Sequence, residues 1–180
     1  MAKVSIIGTG TWGIALGMVL AQNGHEVTAW SALPKEIEAL RESYTCKNLP
    51  GVEIPRSIVF TADLQEACTD KEMLVLSVPS VFTRGVAKQM NPFVKEGQLI
   101  VSVAKGIEEK TLMTMSQQIE EELPMANVAV LSGPSHAEEV SRGIPTTVVA
   151  GAKDRQTAEH IQNLFMSSVF RVYTLSLIHI

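Results

Sequence analysis

The sequence places three glycines, Gly8, Gly10 and Gly13, directly after an apolar run that is typical of a β-strand. In this G-x-G-x-x-G spacing the first glycine permits a tight turn, the second lets the main chain approach a pyrophosphate, and the third lets helix and strand pack closely. Free N–H groups at the start of the next helix, predicted from Thr11, and the helix dipole then bind the anion. Because the motif stands between a predicted strand and a predicted helix, it indicates dinucleotide binding rather than glycines that serve only packing.

The end of the second predicted strand leaves the identity of the dinucleotide open. Proteins with this turn commonly offer an acidic side chain to the ribose of NAD about 20 residues downstream, and a basic one to the extra phosphate of NADP. Residues 29–32 (Ala-Trp-Ser-Ala) offer neither charge, and Glu26 lies at the opposite end of the strand. Ser31 can bind either form of the ribose, and Lys35 is near enough in sequence to help bind a 2′-phosphate. The prediction is therefore NAD or NADP.

Lys105 follows the fifth predicted strand, in segment 103–108 (Val-Ala-Lys-Gly-Ile-Glu). Open α/β sheets bind ligands at the carboxyl ends of their strands, so an ammonium group there can hold an anionic or hydroxylated substrate. A single lysine is usually only a surface charge. The position beside Gly106, in a loop at the functional edge, favours a role in binding over that alternative.

Ser135 lies in segment 132–139, which follows the sixth predicted strand and opens a predicted helix. Ser135 and Glu138 stand three residues apart, which is the spacing of a capping box. A helix start with free N–H groups can also bind an anion or a hydroxyl group. We therefore expect Ser135 to cap the helix and to contact substrate.

The spacing of the histidines disfavours a metal site, and the spacing of Ser135 and His136 disfavours hydrolase chemistry. The four histidines are scattered, and no pair has the spacing of metal ligands: His25, His136, His160 and His179. Ser135 and His136 are adjacent, so their side chains would point apart on a helix, and the sequence has no G-x-S-x-G elbow. We predict no metal site.

Around these motifs, apolar β-branched runs alternate with helix-like stretches, which predicts β-α-β units in one α/β domain. The predicted strands are 3–8, 26–30, 57–61, 73–78, 98–102, 128–131, 146–150 and 169–173, and the predicted helices are 11–23, 34–43, 64–68, 81–90, 111–122, 135–141 and 155–165. The expected fold is Rossmann-like: a doubly wound, mostly parallel sheet with helices on both faces. It spans residues 1–174.

The composition of the chain disfavours nucleic acid as a partner and disfavours a membrane span. The chain has 180 residues, 46% of them hydrophobic and 19% charged, with a net charge of −4. That charge leaves no broad cationic surface, so nucleic-acid binding is disfavoured. The longest apolar stretch, 14–21, is far below the roughly 20 residues of a membrane span. The two cysteines, Cys46 and Cys68, form no framework spacing, and reduced thiols in a cytoplasmic protein are expected.

Five motifs in matching order resemble the N-terminal cofactor domain of bacterial NAD(P)-dependent glycerol-3-phosphate dehydrogenase, over Met1 to about Thr174. They are 6–13 (Ile-Ile-Gly-Thr-Gly-Thr-Trp-Gly), 48–51 (Asn-Leu-Pro-Gly), 78–80 (Val-Pro-Ser), 103–108 (Val-Ala-Lys-Gly-Ile-Glu) and 132–137 (Ser-Gly-Pro-Ser-His-Ala). The resemblance implies hydride transfer between the nicotinamide and dihydroxyacetone phosphate or glycerol 3-phosphate, feeding phospholipid synthesis.

The resemblance also implies residue roles. The cofactor residues would be Gly8, Thr9, Gly10, Thr11, Trp12, Gly13, Lys105 and Ala137, and the substrate residues Lys105, Gly133 and Ser135. Family members often carry basic residues after the second strand, where this chain has Ser31 and Ala32, which puts a preference for NADP in doubt.

The family continues into a helical domain that supplies a proton-transferring lysine and grips the substrate phosphate, and a homodimer is expected at full length. Residues 175–180 (Leu-Ser-Leu-Ile-His-Ile) do not resemble that continuation. No catalytic residue is therefore predicted within these 180 residues. The alternatives are a non-catalytic dinucleotide-binding module and a dehydrogenase that acts on another hydroxy acid or sugar phosphate.

Overall fold

The sheet is the centre of the fold in the computed structural model, which describes residues 1–176. Within that range eight strands form one sheet in the order β3-β2-β1-β4-β5-β6-β7-β8. The strands are β1 (Lys3–Ile7), β2 (Glu26–Trp30), β3 (Val59–Thr61), β4 (Met73–Leu76), β5 (Leu99–Ser102), β6 (Asn127–Ser132), β7 (Thr146–Ala152) and β8 (Phe170–Ser176). Each predicted strand is present, and the doubly wound order of a Rossmann-like fold is confirmed.

The helices connect these strands as expected. They are α1 (Thr11–Gln22), α2 (Pro34–Ser43), α3 (Leu64–Cys68), α4 (Thr83–Met90), α5 (Met115–Glu122), α6 (Ala137–Ser141) and α7 (Arg155–Phe165). Helix α5 starts at Met115 rather than at the predicted Thr111. The reason is a capping box, in which the hydroxyl of Thr114 accepts from the amide of Gln117 at 3.3 Å and the Gln117 side chain accepts from the amide of Thr114 at 2.8 Å.

Helices cover both faces of the sheet, and the central strand β4 is apolar throughout. In β4, Met73 and Val75 pack into the core beneath α1, α2, α6 and α7, whereas Leu74 and Leu76 pack into the core beneath α3, α4 and α5. Successive strand residues point to opposite faces, so β4, which is buried on both sides, is apolar at every position. The two cores together fix the position of the strand ends.

Strands β1 to β6 run parallel to their neighbours, whereas β7 runs antiparallel to β6 and β8 runs parallel to β7. The chain moves from β1 outward to β2 and β3, then returns to place β4 on the other side of β1. The connections after β1 and β4 therefore leave the sheet in divergent directions. This is the topological switch point, where open α/β sheets form a ligand crevice.

The last strand lies at the edge of the sheet. Leu175 and Ser176 end β8 and pair with Gly151 and Ala152 of β7. Residues 177–180 of the predicted tail lie outside the described residues. Within residues 1–176, no helix combines the length and apolarity that crossing a membrane would require.

Candidate functional site

The glycine turn after β1 requires glycine at two of its three positions. Gly8 has φ +118°, and a Cβ there would lie 2.9 Å from the amide nitrogen of Val78. A Cβ on Gly13 would lie 2.1 Å from the carbonyl oxygen of Gly8 and 2.5 Å from Oγ of Ser77. At Gly10, by contrast, a Cβ would meet no atom within 4 Å. Gly8 and Gly13 therefore serve packing, whereas the open space over Gly10 admits a ligand to the main chain.

Hydrogen bonds to the neighbouring strands hold this turn in place. The amide of Gly8 donates to the carbonyl of Trp30 at 2.9 Å, and the hydroxyl of Ser77 donates to the carbonyl of Gly8 at 2.8 Å. Helix α1 then begins after Gly10, with no side-chain cap and no acidic residue in its first turn. The first amides of this 12-residue helix therefore have no cap from the protein and can bind an anion.

A cavity of about 520 Å³ opens beside the turn. Its lining is Gly8, Thr9, Gly10, Trp30, Ser31, Ala32, Leu33, Glu36, Ser77, Val78, Pro79, Phe82, Gly85, Val86 and Gln89. One wall comes from the segment after β2 and the other from the segment after β4, because β1 lies between those strands. Leu33 and Phe82 are 63% and 60% exposed, so each wall carries a large apolar side chain that a flat ring could cover.

The turn also contains an unsatisfied polar group. Thr9 lines the cavity, and its hydroxyl is buried and has no hydrogen-bond partner among the described residues. A buried hydroxyl without a partner is costly in a folded protein. Together with the open approach to Gly10 and the uncapped helix, this orphaned group shows that the residues fit a bound pyrophosphate.

A second cavity, of about 530 Å³, lies at the carboxyl ends of β4, β5 and β6. Its lining is Thr11, Trp12, Ser77, Val78, Pro79, Ser80, Val103, Ala104, Lys105, Ser135, His136, Ala137 and Glu138. Its lining shares residues 77–79 with that of the first cavity, so the two cavities adjoin and together form the cleft. The structure thereby brings together predicted cofactor and substrate residues that lie more than a hundred positions apart in sequence.

Lys105 and Ser135 both meet the carbonyl of Gly133. The ammonium group of Lys105 donates to that oxygen at 2.9 Å, and the hydroxyl of Ser135 donates to it at 3.4 Å. Gly133 itself packs against β7, where a Cβ would lie 2.8 Å from the carbonyl oxygen of Thr147. The loops after β5 and β6 are therefore joined at the cleft by one lysine.

The predicted capping box at Ser135 does not form. Helix α6 begins at Ala137 with His136 as its N-cap, and no side chain caps it. Glu138 is then the second helical residue rather than the third, and the Ser135 hydroxyl bonds within its own loop to Gly133. The helix begins one residue later than the predicted capping box requires, so the capping role of Ser135 is a wrong prediction.

The loop that carries Lys105 is anchored by an ion-pair cluster that the sequence did not indicate. Arg84 donates to both carboxylate oxygens of Glu108, at 2.7 and 2.8 Å, and also binds Glu121 and Glu122 of α5. Hydrogen bonds from Arg84 and from Thr111 lower the pKa of Glu108 from 4.5 to about 2. The same carboxylates raise the pKa of Arg84. The cluster ties the loop after β5 to α4 and α5.

Sequence reasoning also missed an acidic group at the end of β2. Glu36 lines the first cavity, and its carboxylate accepts a hydrogen bond from the hydroxyl of Ser31 at 2.6 Å. Helix α2 begins at Pro34, so its first turn brings Glu36 back to the strand end. Lys35, the predicted phosphate ligand, is exposed and is absent from the lining of either cavity. The available signal was the predicted helix start at Pro34, which puts Glu36 in the first turn, close to the end of β2.

The chain is similar in sequence to proteins of one family. Residues 3–158 match the family model described as NAD-dependent glycerol-3-phosphate dehydrogenase N-terminus. A curated relative from Agathobacter rectalis, named glycerol-3-phosphate dehydrogenase [NAD(P)+], is 60% identical over 175 residues, which is 97% of this chain and 52% of the relative. A relative of the same name from Fusobacterium nucleatum is 51% identical over 97% of this chain and 53% of its own length.

Solved structures agree with the fold. The crystal structure of glycerol-3-phosphate dehydrogenase from Coxiella burnetii matches with a TM-score of 0.90 and 27% identity, over 97% of this chain and 54% of that one. A pyrroline-5-carboxylate reductase from the same organism matches with a TM-score of 0.73 at 15% identity, over 97% of this chain and 59% of that one, which shows a shared fold alone. The chain spans about half the length of the curated relatives it matches. It belongs to the NAD-dependent glycerol-3-phosphate dehydrogenase N-terminus family.

Proposed function

We propose that this chain binds NAD or NADP in the cleft of the two adjoining cavities and, within a glycerol-3-phosphate dehydrogenase, presents the nicotinamide to dihydroxyacetone phosphate or sn-glycerol 3-phosphate. The observation that carries the proposal is the open main chain at Gly10, at the switch point of the sheet, beside the uncapped start of α1. The family match and the relatives' names support the same activity. A bound nicotinamide would supply or accept the hydride.

Different residues along the cleft would contact different parts of the dinucleotide. The main chain of residues 8–13 would hold the pyrophosphate, with Thr9 adding its buried hydroxyl. The apolar walls near Leu33 and Phe82 would cover the adenine. Thr11, Trp12 and Ala137 line the second cavity and would contact the nicotinamide half. These roles follow from which cavity each residue lines.

Lys105 is the group best placed to bind substrate. Its ammonium has three donors, of which one is used by the carbonyl of Gly133, so the other two can bind a hydroxyl or phosphate oxygen. Ser135 and Gly133 lie in the loop that the lysine contacts and would complete this subsite. No general acid or base is assigned within residues 1–176. The product would serve phospholipid synthesis in the cytoplasm, and a homodimer of the longer protein stays a prediction.

Fluorescence can test dinucleotide binding directly, because both tryptophans line the cleft. Trp30 lines the first cavity and Trp12 the second. NADH bound there would quench their emission by energy transfer to the nicotinamide, and the quenching would saturate. Absence of any saturable change with NADH and with NADPH would remove the proposal.

The substrate class needs a longer protein of this family. Turnover of dihydroxyacetone phosphate should exceed turnover of other ketones there, and Lys105→Ala should raise KM or lower kcat. Equal turnover of a ketone without a phosphate would favour the alternative dehydrogenase. If Lys105→Ala left both constants unchanged, the substrate role of Lys105 would be wrong.

A further inference from the structure

We propose that Glu36 binds the adenosine ribose of the dinucleotide and makes this chain prefer NAD over NADP. The proposal rests on dinucleotide binding in the first cavity. It assigns to the first turn of α2 the task that an acidic residue at the end of the second strand performs in many proteins of this fold.

Ser31 orients the carboxylate, and its only side-chain donor is used in doing so. Its hydroxyl donates to Oε2 of Glu36 at 2.6 Å and accepts from the amide of Leu33 at 3.2 Å. Its exposed fraction is 7%. From the sequence, Ser31 was expected to bind the ribose directly. In the structure Ser31 instead supports the carboxylate of Glu36, and Glu36 is half-buried at the cavity wall.

The carboxylate keeps acceptor capacity for a ligand. Among residues 1–176, Oε1 of Glu36 has no hydrogen-bond partner, and Glu36 takes part in no ion pair. An ionised carboxylate only accepts hydrogen bonds, so it suits the 2′- and 3′-hydroxyls of a ribose. A 2′-phosphate offers no such donor and would bring its own negative charge against the carboxylate.

No cation lines the first cavity among the described residues, and Lys35, the residue before Glu36, is exposed and absent from that lining. Glu36 is the one charged residue in the described lining of the first cavity. The guanidinium of Arg41, on the same helix, is occupied by the carbonyl of Phe60, at 2.6 and 2.9 Å. The positive end of α2 could attract a phosphate, but Glu36 is itself an acidic residue in that first turn and opposes it. The local field therefore favours the neutral ribose hydroxyls.

The experiment compares dissociation constants of NADH and NADPH for the 180-residue chain, by tryptophan quenching and by calorimetry. NADH should bind at least about tenfold more tightly than NADPH, because a charge-assisted hydrogen bond is replaced by repulsion. Glu36→Gln should weaken NADH binding by roughly tenfold and leave NADPH binding equal or tighter. Glu38→Gln is the matched control, since Glu38 is exposed on the same helix and does not line the cavity.

Ser31→Ala gives a second, independent test. This substitution removes the hydrogen bond that orients Glu36 but keeps the negative charge of Glu36. NADH binding should therefore weaken less than in Glu36→Gln, and NADPH should still bind more weakly than NADH. Circular dichroism of each variant would confirm that the chain folds.

The outcomes separate the two proposals. If neither dinucleotide binds, the proposed function fails and this inference fails with it. If both bind equally, if NADPH binds more tightly, or if Glu36→Gln changes the ratio no more than Glu38→Gln does, the inference is overturned while dinucleotide binding stands.

Discussion

In the glycine turn the groups that would meet a ligand are main-chain amides, whereas at the carboxyl ends of β5 and β6 they are side chains on loops. The turn is fixed by close packing, with Gly13 against the carbonyl of Gly8, and by hydrogen bonds to β2 and to Ser77, directly after β4. The loops are joined by Lys105, which is exposed, and anchored by Arg84. The conformation of the glycine turn is therefore fixed by packing within the fold. The positions of the loops after β5 and β6 are fixed by a few polar contacts.

Because of this difference, substitutions in the two regions should affect the stability of the chain and its ligand binding to different degrees. In the turn, a change of one methyl group either disrupts packing or blocks a ligand, depending on which glycine receives it. In the loops, loss of a side chain removes a contact from solvent-exposed segments and leaves the two cores intact. Substitutions in the two halves should therefore differ in size and in kind.

The largest effect is expected for Gly13→Ala, since its Cβ would lie 2.1 Å from the carbonyl oxygen of Gly8 and backbone must move. We expect a loss of about 3 kcal/mol or more in the free energy of unfolding, measured by urea denaturation, together with loss of NADH binding. Gly17→Ala is the matched control on the same helix, because its nearest contact would be an ordinary 3.4 Å to Ile6. Equal stability of the two variants would contradict the packing role of Gly13.

Gly10→Ala should separate binding from folding. The added Cβ meets no protein atom within 4 Å, so the free energy of unfolding should stay within about 1 kcal/mol of the parent chain. The methyl group would instead stand where the pyrophosphate approaches, and NADH affinity should fall by roughly ten- to a hundredfold in calorimetry. Unchanged affinity would show that the ligand does not approach the chain at this residue.

A smaller effect is expected for Lys105→Met, which removes the link to the carbonyl of Gly133. NADH affinity should change by only about threefold, because one polar contact is lost at the nicotinamide end of the cleft. Amide hydrogen exchange should rise in residues 133–137 and stay unchanged in residues 8–13. A loss of affinity as large as that of Gly10→Ala would show that the two halves are not independent.

The smallest expected effect is a pH dependence of the stability that the contact between Arg84 and Glu108 gives to the loop after β5. The pKa of Glu108 is lowered in the folded chain from 4.5 to about 2, so its ionised form is favoured by folding. The stabilising contribution is fully present above 4.5 and is lost as the pH falls towards 2. A carboxyl-carbon NMR titration should show this low value, and Arg84→Met should move it towards the ordinary one. A wild-type Glu108 that titrates near 4.5 would contradict the anchoring contact.

Local patterns were enough to predict the strands, most helix positions and the glycine turn, because each depends on residues adjacent in sequence. Glu36 was missed although helix 34–43 was predicted with its observed bounds, because the side of the first turn that faces the end of β2 depends on how α2 packs against the sheet. The anchor between Arg84 and Glu108 joins residues 24 positions apart and depends on tertiary packing. The misplaced start of α6 has a similar origin, because the Ser135 hydroxyl binds the carbonyl of Gly133 instead of capping the helix.

The most direct test of the central claim is an amide NMR titration of the isotope-labelled chain with NADH. The largest shifts should fall on the amides of residues 8–13 and on the indole of Trp30, with smaller shifts at residues 104–106 and 133–137. A saturating titration whose largest shifts lie elsewhere, with residues 8–13 unmoved, would contradict the account.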